Sequence, residues 1–320
     1  MFENTLTIII TLFGLMLIGM AIAKKPWFAG GTDLLSALLT KVIMPVNVFY
    51  TVMSSFDFEG PFTQTLLLEL CVVLIFLISV ATGVLSAKIA KTTYARTAVF
   101  IASVGFPNML LLGYPVVQAS LGESAMRYAV LYSIAGLILF WFVSTSVLIK
   151  YGQPEGKRGR LLTPANLKKI FSPSLIMLLF GIALKLIGFS IPNIFGGAIL
   201  RVAQSTLAIS MIFIGAVIRN VDLKSIALSR DLIVVLVTKF IIMPAILLGM
   251  LNLLPLERTV KMVFFLLSVM PMSVNFSVLA YQYKCDYSFT AVVAAMSNLL
   301  CIVAIPLYVF LLETFPALLG

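Results

Sequence analysis

Long apolar runs alternate with short polar connections along the whole chain. Ten runs are of the order of the 20 residues that a helix needs to cross a bilayer. They fall at 5–23, 33–54, 62–87, 94–118, 126–149, 172–189, 197–218, 231–251, 259–282 and 287–312. The longest polar connection, KYGQPEGKRGRLLTPANLKK at 150–169, divides five runs from five and leaves no room for a soluble domain. Five is odd, so a duplicated half enters the membrane in the opposite sense from the first, which is the geometry of an inverted repeat. The fourth and ninth runs carry the trace of such a duplication. ARTAVFIASVGFPN and ERTVKMVFFLLSVMPMSVN both open on Arg-Thr, reach Ser-Val and break at a proline. The pattern predicts an all-α integral membrane protein of ten transmembrane helices, arranged as a 5+5 inverted repeat over 1–155 and 156–320.

Composition agrees with the pattern. With 61% hydrophobic and 11% charged residues and a mean hydropathy of +1.13, the chain is far too apolar for an ordinary soluble domain. The net charge of +10 does not point to nucleic acid, because the basic residues are scattered between apolar runs. It reports topology instead. Of 22 Lys and Arg residues, Lys41 and Lys239 lie within runs, and Arg127, Lys185, Arg201, Arg258 and Lys261 fall on one set of loops. The remaining fifteen fall on the other set, which is therefore cytoplasmic and places both termini outside the cytoplasm. The chain has no histidine, and its three cysteines show no metal-ligand spacing. A Ser-His-Asp triad, a zinc site and a cofactor are not expected. No GxxxxGK[ST] sequence is present, so ATP is not the direct energy source.

The fourth run poses the sharpest question: SVGFPNMLLLGYP sets two prolines, two glycines and an asparagine at membrane depth. Proline removes a backbone N–H and the bond to residue i−4, so Pro107 and Pro271 interrupt their helices. Irregular backbone survives at that depth only when buried in protein or lining a cavity. If both breaks meet near the midplane, two half-helix N-termini converge there, and their unpaired N–H groups form an anion site. Asn108 and Asn275 add amide groups without the cost of a buried charge. Pro45 and Pro244 fall in non-equivalent runs and read as packing or hinge features.

Three ionisable residues lie well inside runs. Lys41 is eight residues from Asp33 and Lys239 eight from Asp231, roughly 12 Å deep at about 1.5 Å per residue. Each either snorkels, pairs with a carboxylate or faces the pathway. Glu69, eight residues after Pro61, reaches a comparable depth in a repeat-equivalent run. It is the candidate proton-coupling carboxylate, with Lys239 as its counter-charge or as a substrate-facing cation.

The ten-run plan, the GFPN…GYP stretch followed by a Gly-Glu loop, and the closing PMSVNFSVLAYQYKCDYSFTAVVAAMSNLLCIVAIPL resemble the auxin efflux carrier family. That family includes plant PIN-formed carriers and bacterial organic-acid permeases, within the wider bile acid/arsenite/riboflavin transporter group. The resemblance implies that helices four and nine cross at Pro107 and Pro271, with substrate beside the crossing. It also implies a scaffold of helices 1, 2, 6 and 7, through which a homodimer forms, and a mobile unit of helices 3–5 and 8–10. The expected function is secondary active transport of a small carboxylate across the cytoplasmic membrane by alternating access, coupled to protons or to the potential. A sodium-coupled symporter and a passive anion channel are the alternative readings. The expected site is Pro107, Asn108, Pro271, Asn275, Lys239 and Lys41, with Glu69 for coupling, and the expected partners are the carboxylate and membrane lipid.

Overall fold

The computed structural model describes residue 11 and residues 14–55, 62–152, 171–219 and 229–319, and all regular elements among them are helices. Helix α1 covers 14–22, α3 Phe62–Ala90, α5 Met126–Tyr151, α6 Pro173–Leu186, α7 Asn193–Arg219 and α10 Tyr287–Thr314. Helix α2 is Gly31–Leu38, continued through Leu39–Ile43 and Met44–Ser55; α8 is Arg230–Val237, continued through Thr238–Ile242 and Met243–Leu253. Two helices are interrupted. Helix α4 has a first arm Tyr94–Gly105 and a second built of Met109–Gly113 and Tyr114–Leu121, and α9 has arms Arg258–Val269 and Val274–Gln282. Among the described residues, five helices are long and apolar enough to cross a membrane unbroken: Gly31–Ser54, Thr65–Ala90, Met126–Tyr151, Phe195–Val217 and Arg230–Leu253. The two parts of α10, bent by 44° at residue 302, make a sixth if taken together. That bend falls four residues before Pro306, where the missing N–H and the ring disrupt the ladder. Residues 153–169 of the 150–169 connection, with the expected repeat boundary at 155/156, lie outside the described residues.

Helix starts are written in side-chain oxygens. Thr93, Ser172, Ser229 and Asp286 each accept the N–H three residues on, at 3.4, 3.4, 3.3 and 3.1 Å. Three helices also contain a π turn: Leu39–Ile43, Met109–Gly113 and Thr238–Ile242. Each ends two residues before a proline, Pro45, Pro115 or Pro244. The cause is steric, since a proline ring clashes with the carbonyl four residues earlier and a wider turn makes room for it. In α8 the freed carbonyl is that of Phe240, and Tyr308 Oη of α10 donates to it.

Packing separates the helices into two groups. Helices α1, α2, α6 and α7 hold together through small residues, an aromatic stack and one amide. A Cβ on Gly19 would lie 2.1 Å from Ile212 O, and one on Gly215 would lie 2.0 Å from Met16 O. The pairs 16/215 and 19/212 run in opposite directions, so α1 and α7 are antiparallel and cross backbone to backbone. Phe49 of α2 stacks on Phe180 of α6 at 5.9 Å, and Asn47 Nδ2 donates to Ala203 O of α7 at 2.9 Å.

In the second group, Gly83 of α3 lets α4 approach so closely that a Cβ there would lie 2.7 Å from Ile101 Cα. Polar locks fix its two ends. At one end, Arg96 of α4 donates to Asp231 of α8 at 2.8 Å and to Asp286, the cap of α10, at 2.9 Å, with its guanidinium 4.5 Å above the Phe289 ring. Thr92 adds a bond to the same Asp231 at 2.7 Å, and Tyr94 Oη donates to Lys150 O at the end of α5. At the other end, Tyr128 at the start of α5 donates to Glu257 at 3.2 Å, and Arg258 donates to Leu312 O at the end of α10 at 2.8 Å.

Candidate functional site

The two interruptions meet. Asn108 N donates to Pro271 O at 2.8 Å and Ser273 N donates to Phe106 O at 2.8 Å, so the extended residues of α4 and α9 pair as a single antiparallel bridge between Pro107 and Met272. This pairing satisfies backbone groups that Pro107 and Pro271 have released from the helical ladder. Two further bonds complete the crossing. Met272 N donates to Ser297 Oγ of α10 at 3.3 Å, and Asn108 O accepts from Gly113 N at 3.1 Å. Asn108 itself, at φ −80° and ψ 65°, is the centre of an inverse γ-turn closed by Met109 N and Pro107 O at 2.9 Å.

Four helix ends therefore converge at one place: the C-termini of both first arms and the N-termini of both second arms. Neither second arm receives a side-chain cap, from Asn108 or from Ser273. Of their first N–H groups, Met109 N is taken by Pro107 O at 2.9 Å and Phe276 N by Ser273 O at 3.2 Å, and the rest of each first turn has no intrahelical acceptor by construction. The C-terminal end of the α9 first arm is treated differently. Lys239, fully buried, donates from Nζ to Ser268 O at 3.1 Å. An N–H donor on the carbonyl end opposes its partial negative charge, which leaves the positive N-terminal ends of the second arms less compensated. The Ser-Val that precedes each break in sequence thus has a purpose at Ser268: its carbonyl receives the lysine. Its hydroxyl donates to Phe264 O at 2.6 Å and is spent, so Tyr132 of α5 is the donor in the 2.9 Å contact with Ser268 Oγ.

Orphaned polar atoms surround the crossing. Asn108 is 5% exposed, and its Nδ2 is buried without a hydrogen-bond partner. Asn275 Oδ1, Asn298 Oδ1 and the hydroxyls of Ser103 and Ser277 are buried in the same unpaired state. Rings also pack at the crossing: Phe106 meets Phe76, Phe140 and Phe276 at 5.6, 5.4 and 5.6 Å between centroids. Beside it lies a cavity of only about 10 Å³, lined by Ser79, Pro107, Met109, Tyr132 and Ser268 among others. That is room for about one water. Asn108 and Asn275 do not line it.

The charged residues singled out from sequence divide. Glu69 lies on the α3 face of the cavity-lining Val72, Phe76 and Ser79, and its Oε2 accepts from Ala135 N in α5 at 3.2 Å. Its Oε1 is buried without a partner. Lys239 reaches the crossing through Ser268, and among the described residues it forms no ion pair with Glu69. Lys41 is elsewhere: it is exposed in the π turn of α2 and lines a larger, open pocket. Tyr132, Ser297 and Phe106 carried no sequence signal beyond being polar or aromatic in a span. Cys285, in the α9–α10 turn, is inert, because burial, helped by the neighbouring Asp286 carboxylate, pushes its thiol up to about 12.

An apolar all-helical bundle whose two interrupted helices cross through backbone hydrogen bonds is the architecture of a membrane transporter. The membrane transport protein family matches residues 5–309, and the chain belongs to that family, the auxin efflux carriers. No curated protein matches the chain.

Proposed function

We propose that this protein is a secondary active transporter that moves a small organic anion, a mono- or dicarboxylate, across the cytoplasmic membrane by alternating access. The observation that carries the reading is the convergence of two uncapped helix N-termini at the Pro107–Met272 bridge, with Lys239 covering the neighbouring helix C-terminus. Such a place attracts negative charge and repels bare cations. Asn108 and Asn275 supply amide contacts to the carboxylate, and Pro107 and Pro271 keep the arms apart so that substrate reaches the N–H groups. The cavity of about 10 Å³ is too small for a carboxylate, which fits a closed state of the cycle.

In this reading the chain is a ten-span inverted repeat with both termini outside the cytoplasm. Helices α1, α2, α6 and α7 form the scaffold and dimer contact, while α3–α5 and α8–α10 carry the site past it. The ionic lock at Arg96 supports that division, since it ties α4, α8 and α10 into one body. Glu69 couples transport to protons: it is a carboxyl at membrane depth beside the crossing, held by one backbone N–H, and it gains or loses charge with its proton.

A second reading is sodium symport. It is favoured by the unpaired acceptor atoms Asn275 Oδ1 and Asn298 Oδ1, because sodium takes oxygen ligands. Counterflow in proteoliposomes tests both. Vesicles preloaded with an unlabelled carboxylate and offered a labelled one take up label with saturation and trans-stimulation if the protein is a carrier. Linear, unsaturable flux for every carboxylate tried means a channel. Uptake that disappears when choline replaces sodium selects the symporter.

A further inference from the structure

Helix α2 carries a polar stripe that the crossing does not use. Asp33, Ser36, Ala37, Thr40 and Lys41 recur at i, i+3, i+4, i+7 and i+8, the spacing of one helical face, and all five line one open pocket of about 430 Å³. A stripe of that polarity is costly against lipid, so the face it lines is an aqueous or ligand-filled one. The facing wall comes from the end of α9 and its turn into α10, with Tyr281, Gln282 and Lys284. Two ammonium groups, Lys41 and Lys284, thus stand on opposite walls. The carboxylate of Asp33 is already engaged, its Oδ1 accepting from Tyr281 Oη at 2.8 Å. The lining therefore carries a net positive charge; the Thr40 hydroxyl is spent on Ser36 O at 2.8 Å, and Gln282 adds an amide donor beside the cations.

We infer that this pocket is a second anion site, a capture site that takes a small carboxylate before it reaches the crossing. The inference rests on the proposed transport of organic anions and adds a place where they are first bound. The size is right: the pocket has the volume of small-molecule sites, whereas the cavity at the crossing holds about one water. Its walls belong to different packing groups, α2 to that of α1, α6 and α7, and the α9–α10 turn to the group locked by Arg96. Any sliding of one group along the other changes the gap between Lys41 and Lys284, so the pocket grips or releases its ligand as the carrier cycles.

The test uses full-length protein in phosphatidylcholine nanodiscs and equilibrium binding of radiolabelled malonate. Asn108→Leu disables the crossing, and in this background saturable malonate binding remains, at one equivalent. Adding Lys41→Gln and Lys284→Gln weakens that remaining binding by about tenfold or more, and the Lys41→Arg, Lys284→Arg pair restores it. Both lysines are exposed, and elution of each variant as a single species by gel filtration checks its fold. The inference is overturned if Asn108→Leu protein binds no malonate, or if the glutamine pair leaves binding unchanged. It is also overturned if phosphatidylglycerol in the nanodisc displaces malonate and is itself retained only when both lysines are present, since the pocket then holds a lipid headgroup. None of these outcomes touches the counterflow result, which judges the transport reading separately.

Discussion

Asn108→Leu separates stability from function in a way that an ordinary core substitution does not. The side chain is 5% exposed and its Nδ2 has no partner, so the native protein carries the cost of a desolvated donor. That cost is about 1–3 kcal/mol for a neutral group. Leucine is close in shape and removes the donor. The backbone has no reason to move: φ −80° and ψ 65° suit any L-residue, and the bonds from Asn108 N to Pro271 O and from Gly113 N to Asn108 O involve main-chain atoms only. We therefore expect the variant to unfold at the parent temperature or up to a few degrees above it, at about 2–4 °C per kcal/mol for large domains. Carboxylate uptake should fall by at least about tenfold, the effect of losing one hydrogen bond of about 1.4 kcal/mol to a charged ligand. Thermal unfolding in detergent followed by intrinsic fluorescence gives the first quantity, and initial uptake rates in proteoliposomes give the second. A variant that melts well below the parent shows the amide to be a structural partner. One that transports at the parent rate shows it to be no part of the site. Either result refutes the reasoning.

Three other substitutions probe separate parts of the account. Lys239→Met replaces a fully buried amine with an apolar chain of similar length and removes the cost of burying a polar group, at the loss of its one bond to Ser268 O; folding should survive while carboxylate affinity drops, and unchanged affinity in a binding assay would remove the lysine from the site. Glu69→Gln should leave counterflow intact but abolish stimulation of uptake by an imposed pH gradient, and a variant with the parent's pH response contradicts the coupling role. Gly215→Ala places a methyl 2.0 Å from Met16 O, so α1 and α7 must part by about 1 Å or more, at about 1–3 kcal/mol of overpacking cost; an unchanged melting temperature would show that this crossing is looser than described.

The interruptions at Pro107 and Pro271 were legible because they follow from one atom, the missing amide hydrogen, and need no knowledge of the surroundings. Among the described residues, apolar run length likewise located a helix or helix pair within each of the ten runs. What run length does not reveal is angle about the helix axis. Depth alone suggested Lys239 as a counter-charge to Glu69 or as a substrate-facing cation, but depth is a coordinate along the membrane normal. In the fold Glu69 turns to a backbone N–H of α5 and Lys239 to a carbonyl of α9. Lys41 shows the same blindness, since the pocket it lines is built half from residues some 240 positions away in the chain. Backbone acceptors such as Ser268 O leave no mark in composition at all. Arg96 was visible only as part of a repeated Arg-Thr, because its partners, Asp231 and Asp286, come from two other helices.

A π turn amounts to a surplus residue threaded into a helical ladder, and in the wheel of each affected helix it acts as a frameshift. At 3.6 residues per turn the stretch before Thr238–Ile242 is out of phase by about 100° with the stretch after it, relative to a straight helix. Pro244→Ala alone would leave the surplus in place. Only a proline replacement joined to a one-residue deletion would straighten α8, and that correction would swing the lysine's part of the helix by about a quarter-turn away from the carbonyl it now covers.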